Sequence, residues 1–149
     1  MSLFTGEFEC KLDAKGRLVL PARLKACLPE VASNQIALMR GMDPCLVLYP
    51  IGEYRKIFSQ IAALSEFKEE NRVLQRNFFR RVSELELDNM GRLLIPKLMM
   101  QYAGLEKEVV VVGMGTRLEI WNMERYGQYL IDDNKEFSQL AQKHLNEWL

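Results

Sequence analysis

Phe8, Cys10 and Leu12 alternate with Glu7, Glu9 and Lys11, the period-two pattern of a strand with one buried face. Asp13-Ala14-Lys15-Gly16 interrupts it as a turn, with Gly16 supplying the positive φ that a tight hairpin loop requires. Arg17 to Leu20 returns as an apolar strand, so a β-hairpin is expected here. Pro21 suits the first turn of a helix, where its missing N–H costs nothing, and a short helix is predicted from Ala22 to about Leu28. A second strand pair follows: Ile36–Arg40, a Gly41-Met42-Asp43-Pro44 turn, then Cys45–Tyr49. A helix starting near Gly52 closes the unit.

The same order occurs twice. Glu9 to Pro21 matches Glu84 to Pro96, with Asp, Gly, Arg, Leu and Pro recurring at an offset of 75. Gly41-Met42 matches Gly113-Met114, Leu46–Tyr49 matches Leu118–Trp121, and Tyr54 matches Tyr126, at an offset of 72. The first copy therefore carries three extra residues, and the polar stretch Pro29 to Gln35 is the natural place for them. In the second copy a helix is predicted from Pro96 to Ala103 with Gly104 as its cap. Strands Val109–Val112 and Arg117–Trp121 flank a Gly-rich turn. A closing helix starts near Glu124, with Asn122 as N-cap.

The repeating unit is thus β-β-α-β-β-α and the fold class α+β. One unit of roughly 60–70 residues buries too little apolar surface to be comfortable alone, so the copies are expected to pack as one pseudo-symmetric body. The expected division is 5–53 for the first repeat, 54–80 for a helical connection, 81–125 for the second repeat and 126–149 for C-terminal helices. In the connection Arg72, Arg76 and Arg80 share one helix face, and Phe67, Leu74 and Phe78 another.

Composition narrows the function. The 149 residues are 48% hydrophobic and 27% charged, values of an ordinary globular protein. No apolar run approaches the about 20 residues a membrane helix needs. Met1 to Glu7 has no basic start and no long apolar stretch, so no secretory signal is read there and a cytoplasmic protein is expected. Three cysteines, Cys10, Cys27 and Cys45, without a C-x-x-C, and a single histidine, His144, three residues before Glu147, argue against a disulfide framework and a metal site. No cofactor is expected. The formal net charge is zero, so phosphate attraction depends on where the cations sit.

They sit at the two turns. Lys15 can act as a point charge to phosphate, and Arg17 can fork onto phosphate or onto guanine O6 and N7. Gly16 lets the backbone come close to a phosphate. Asp13 is repelled by phosphate, and its better role is to bond the turn's own N–H groups, as is that of Asp88 in the second copy. D-x-x-G-R is also a competent turn with a solvated arginine. Turn geometry asks only for Asp and Gly, however, and arginine stands at both tips, Arg17 beside Gly16 and Arg92 beside Gly91. That points to DNA contact.

Arg72, Arg76, Arg80 and Arg81 read first as a solvated face paired with Glu69 and Glu70, then as a subunit interface, then as DNA contacts. Tyr49, Tyr54, Trp121 and Tyr126 read as core or interface aromatics, and Met90, Met99 and Met100 as packing residues. Glu84 and Glu86 share a strand face, but no histidine, serine elbow or phosphate loop accompanies them, so the chain does not read as an enzyme.

At these residues the sequence resembles the MraZ family of bacterial transcriptional regulators, within the SpoVT-AbrB (swapped-hairpin) fold. The resemblance rests on Leu12 to Arg17 and Pro21, Pro44 to Pro50, Asn71-Arg72 to Arg76, Gly91 to Pro96, Ala103 to Val109 and Leu118 to Trp121. It implies two SpoVT-AbrB-like repeats packed as a pseudo-symmetric β-barrel with flanking helices, each repeat one half of what single-repeat relatives form as a swapped dimer. It further implies a homo-oligomeric ring that binds double-stranded DNA at short direct repeats. These lie in the promoter of the division and cell-wall gene cluster, usually for repression, which implies a nucleoid-associated protein. The Lys15–Arg17 loop corresponds to the family's DNA-contacting motif. Met90 stands where Lys15 stands, so the second tip is expected to be the weaker contact. The stretch 137–149 matches no family motif. The rival readings are an antitoxin-like DNA binder of the same fold and a protein-interaction ring without a DNA role.

Overall fold

The computed structural model describes residues 3–30 and 34–145. Part of the Pro29–Gln35 insertion therefore lies outside the described residues, as do Met1, Ser2, Glu147 and the rest of 146–149. In chain order the elements are β1 (Glu7–Lys11), β2 (Arg17–Val19), α1 (Ala22–Lys25), β3 (Gln35–Arg40), β4 (Leu46–Pro50), α2 (Ile51–Ala62) and α3 (Glu69–Phe79). Then come β5 (Val82–Glu86), β6 (Arg92–Leu94), α4 (Lys97–Ala103), β7 (Glu108–Gly113), β8 (Leu118–Asn122), α5 (Met123–Gly127) and α6 (Asn134–His144). The fold is α+β, with each strand and helix of the first repeat answered in the second. Among the described residues no helix is long and apolar enough to cross a membrane.

The strand pairing departs from the expected hairpins. β1 and β2 do not zip onto each other; beyond the turn only a single bridge joins Leu12 to Leu18. β1 instead pairs antiparallel with β7 of the second repeat, Phe8 opposite Val111. β5 pairs with β3 of the first, Leu85 opposite Ile36. β2 pairs with β6, Leu18 opposite Leu93. The physical reason is ladder length. A local hairpin could pair β1 with only three residues of β2, whereas β7 offers it five. The result is a six-stranded antiparallel sheet, β1-β7-β8-β4-β3-β5, and a two-stranded ribbon, β2-β6. At the centre β4 meets β8, with Leu46 opposite Ile120 and Leu48 opposite Leu118, pairs that exchange under the 72-residue offset. The repeats thus interlock about a pseudo-two-fold axis.

The main core forms along that axis. Leu18, Leu38, Leu48, Leu93, Val111 and Ile120 come from both repeats and lie in one cluster, each at 1% exposure or less. Each such side chain stabilises the fold by about 1.5–3 kcal/mol relative to an exposed position.

The helix ends follow their capping residues. Gly104 ends α4 in the left-handed region at φ 61°, and Asn122 Oδ1 accepts the Arg125 N–H at 3.0 Å. Asp133 caps α6 by accepting from the Lys135 N–H at 2.9 Å. α1 ends at Lys25, short of the expected Leu28. Beyond it the backbone tightens into i→i+3 bonds, from the Cys27 N–H to Leu24 O and from the Leu28 N–H to Lys25 O. α3 docks on α2 through Phe58 and Phe79, whose rings lie 5.4 Å apart, and through Gln75, which donates to the Ile61 and Leu64 carbonyls.

A candidate nucleic-acid interface

Each tip is fixed by its own aspartate. Asp13 Oδ1 accepts the N–H groups of Lys15 and Arg17, both at 2.9 Å, while Oδ2 takes Arg17 Nε at 2.6 Å. Asp88 repeats this with the N–H groups of Met90 at 2.9 Å and Arg92 at 2.8 Å, and with Arg92 Nε at 2.6 Å. Gly16 and Gly91 take φ 80° and 73°, a region where a Cβ would strain the backbone. Hydrogen bonds from the Arg17 and Arg92 backbones, joined by their guanidinium groups, hold both carboxyls below the usual carboxylate range. Both are therefore ionised at neutral pH.

These exposed ion pairs add little stability; what they do is aim the arginines. With Nε tied down, only the two terminal nitrogens of each half-buried guanidinium are left for another partner, and among the described residues none binds them. A sequence reading of Arg17 as a free cation misses this constraint. The four-residue spacing from Asp to Arg across a turn was the signal.

The ribbon then joins the tips. Arg17 lies opposite Leu94, and Val19 opposite Arg92. Opposed and alternate residues of a ribbon share a face, so Arg17, Val19, Arg92 and Leu94 form one outward surface. Val19 and Leu94 are 56% and 58% exposed, while Leu18 and Leu93 bury the other face. The two arginines are diagonal neighbours, on the order of 7–8 Å apart at their backbones. A two-stranded ribbon is narrow enough for a DNA major groove, and its apolar centre matches thymine methyl groups. Neither Val19 nor Leu94 was singled out in the sequence, because their exposure depends on the β2–β6 pairing.

The other named residues fall elsewhere. Arg72, Arg76 and Arg80 line α3 and its C-terminal end and are exposed. Arg72 donates to the Glu66 carbonyl at 2.8 Å; among the described residues no ion pair joins these arginines to Glu69 or Glu70, contrary to the expected pairing. Intrahelical pairs need a spacing of three or four residues; Arg76 and Arg80 lie farther than that from both glutamates, and Arg72, which does stand three residues from Glu69, reaches the Glu66 carbonyl instead. Arg81 does not belong to the group. It donates to Gly41 O at 2.7 Å and to Tyr102 Oη at 3.2 Å, and Tyr102 itself donates to Gly41 O at 2.6 Å. It thereby latches the Gly41–Pro44 turn to α4. Met90, expected to pack, is 68% exposed because the tip turns it outward.

Met99, Tyr54 and Trp121 are buried. Tyr126 donates to the Glu7 carboxylate, and Trp121 Nε1 donates to Glu119 at 2.9 Å. Burial pushes the Cys45 thiol up to about 12. Among the described residues no cluster of His, Cys, Asp and Glu could hold a metal ion. Glu84 and Glu86 are exposed on β5.

Comparison with known proteins also finds the repeat. The family described as "MraZ protein, putative antitoxin-like" matches the chain twice, over residues 3–77 and 78–147, so the match extends into the stretch 137–149 where no family motif is read from the sequence. A protein of Cytophaga hutchinsonii named Transcriptional regulator MraZ is 54% identical over 145 residues, 97% of this chain and 96% of the relative. Proteins of the same name from Heliobacterium modesticaldum and Desulforamulus reducens are each 37% identical, over 141 and 140 residues. Those alignments span 95% and 94% of this chain and 96% of each relative.

Proposed function

The chain belongs to the MraZ family, and from that membership we propose that it is a transcriptional regulator that binds double-stranded DNA sequence-specifically through the β2–β6 ribbon. One observation carries the reading: two arginines from different repeats, each held by an aspartate, share one exposed ribbon face whose reverse is the core. Arg17 and Arg92 contact bases or phosphates through their terminal nitrogens, Lys15 contacts phosphate, and Gly16 and Gly91 permit close approach. Asp13 and Asp88 fix the turns.

The exchange of β1 and β5 between repeats supports reading each repeat as one SpoVT-AbrB-like half, the two closing as a pseudo-symmetric β-barrel. The targets are short direct repeats in the promoter of the division and cell-wall gene cluster, and the outcome is repression. One neutral chain presents only a few cations at its two tips, so the active form is a homo-oligomeric ring in the cytoplasm, at the nucleoid, that multiplies tip contacts by effective concentration. The exposed arginines of α3 serve its subunit interface.

The test is a footprint of the full chain on DNA upstream of its own gene, with a scrambled duplex of equal length as competitor. Protection of short, evenly spaced repeats at protein concentrations roughly 10³-fold below those needed on the scrambled duplex is expected. Equal affinity for both duplexes would remove the sequence-specific reading.

A further inference from the structure

Lys15 and Met90 are equivalent positions of the two repeats, 75 residues apart, and so are Lys25 and Met100. Lysine and methionine are therefore exchanged twice, in opposite senses. The fold brings the two exchanges together. A Cβ added to Gly16 would lie 3.0 Å from Met100 Sδ, whereas one added to Gly91 would lie 2.7 Å from Lys25 Nζ and 2.9 Å from its Cε. The last residue of α1 thus lies against the second tip, and Met100 of α4 against the first. Each tip consequently holds one arginine, one ammonium group and one thioether. At the first tip the ammonium is local and the thioether comes across from the other repeat. At the second the reverse is true.

Resting on the DNA-binding reading above, we infer that Lys25 is a phosphate-binding residue of the second tip, supplied across the repeat interface in place of the cation Met90 lacks. Packing alone does not call for lysine here, since methionine fills the equivalent place beside Gly16. Lys25 is exposed, and among the described residues its ammonium has no carboxylate partner. It is therefore available to an anion that approaches the ribbon face. The second tip is not the weaker cationic site that Met90 alone suggests.

The experiment compares the full-length protein with Lys25→Met, the residue of the equivalent position. Affinity for a duplex from the region upstream of its own gene is read by fluorescence anisotropy across a salt series, with assembly state checked by light scattering. Each phosphate contact contributes about −0.9 to the slope of log affinity against log salt. Lys25→Met is expected to flatten the slope by about that amount per engaged subunit. Adding Met90→Lys to Lys25→Met is expected to restore it. Lys56→Met, at a lysine paired with Glu53 on α2, is expected to leave it unchanged. If Lys25→Met keeps the wild-type slope while Arg17→Ala loses binding, the inference is overturned and the DNA-binding reading stands. If the wild-type protein binds no duplex, both fall.

Discussion

Leu18 and Leu93 face each other at the middle of the β2–β6 register and are 0% and 1% exposed. Truncating either to alanine removes a core side chain in a place that cannot collapse freely, and such changes cost about 2–5 kcal/mol each. Because the two side chains are direct partners, the double variant opens one shared cavity rather than two. A coupling energy of about 0.5–3 kcal/mol between Leu18→Ala and Leu93→Ala is therefore expected, whereas distant, independent sites add to within about 0.3–0.5 kcal/mol. Had each hairpin closed on itself, the two leucines would belong to separate strand pairs and their effects would add. The assay is urea unfolding followed by circular dichroism for the wild type, both single variants and the double, at one protein concentration. Additive losses would refute the cross-repeat ribbon.

Gly16→Ala places a Cβ in the left-handed region, 3.0 Å from Met100 Sδ, and a loss of about 1–2 kcal/mol is expected. Gly52→Ala on α2 meets open space and is expected to gain about 0.4–1 kcal/mol; the same unfolding assay reads both. Tyr102→Phe deletes the hydroxyl that donates to Gly41 O. Arg81 still donates to that carbonyl, so the cost is expected to stay near 0.5–1.5 kcal/mol; a much larger loss in denaturant unfolding would mean that the turn depends on Tyr102 alone. Asp13 and Asp88 have lowered folded values, so their contribution is present above the usual carboxylate range and is lost as pH falls through the lowered values. Carboxyl NMR titration is expected to find both midpoints below the usual aspartate value, and a midpoint for Asp13 at or above that value would contradict the turn geometry.

Much of this fold is legible in local chemistry. The Asp-x-x-Gly turns, the Gly104 and Asn122 caps and the strand alternation all follow from short-range rules. The repeat is visible as two offsets. What periodicity cannot decide is the partner of each strand. The apolar face of β1 is satisfied equally by a neighbour in its own repeat or by β7 of the other, because the two repeats present similar faces. The exchange, the exposed Val19 and Leu94 and the proximity of Lys25 to Gly91 all descend from that choice. Arg81 follows Arg80 directly in the sequence and is grouped with it for that reason; a neighbouring helical residue is already turned by about 100°, and here the chain leaves the helix at Arg80 and turns Arg81 toward Gly41.

The central claim is that the arginines of both repeats meet DNA as one surface. Its most direct test is the affinity of the full chain for the duplex upstream of its own gene, measured for the wild type, Arg17→Ala and Arg92→Ala. Each lost arginine contact is worth about 1–3 kcal/mol per engaged tip. The account predicts that both variants keep their fold and assembly state and that each loses at least about fivefold in affinity. Wild-type affinity in both variants, with fold and assembly intact, would contradict it.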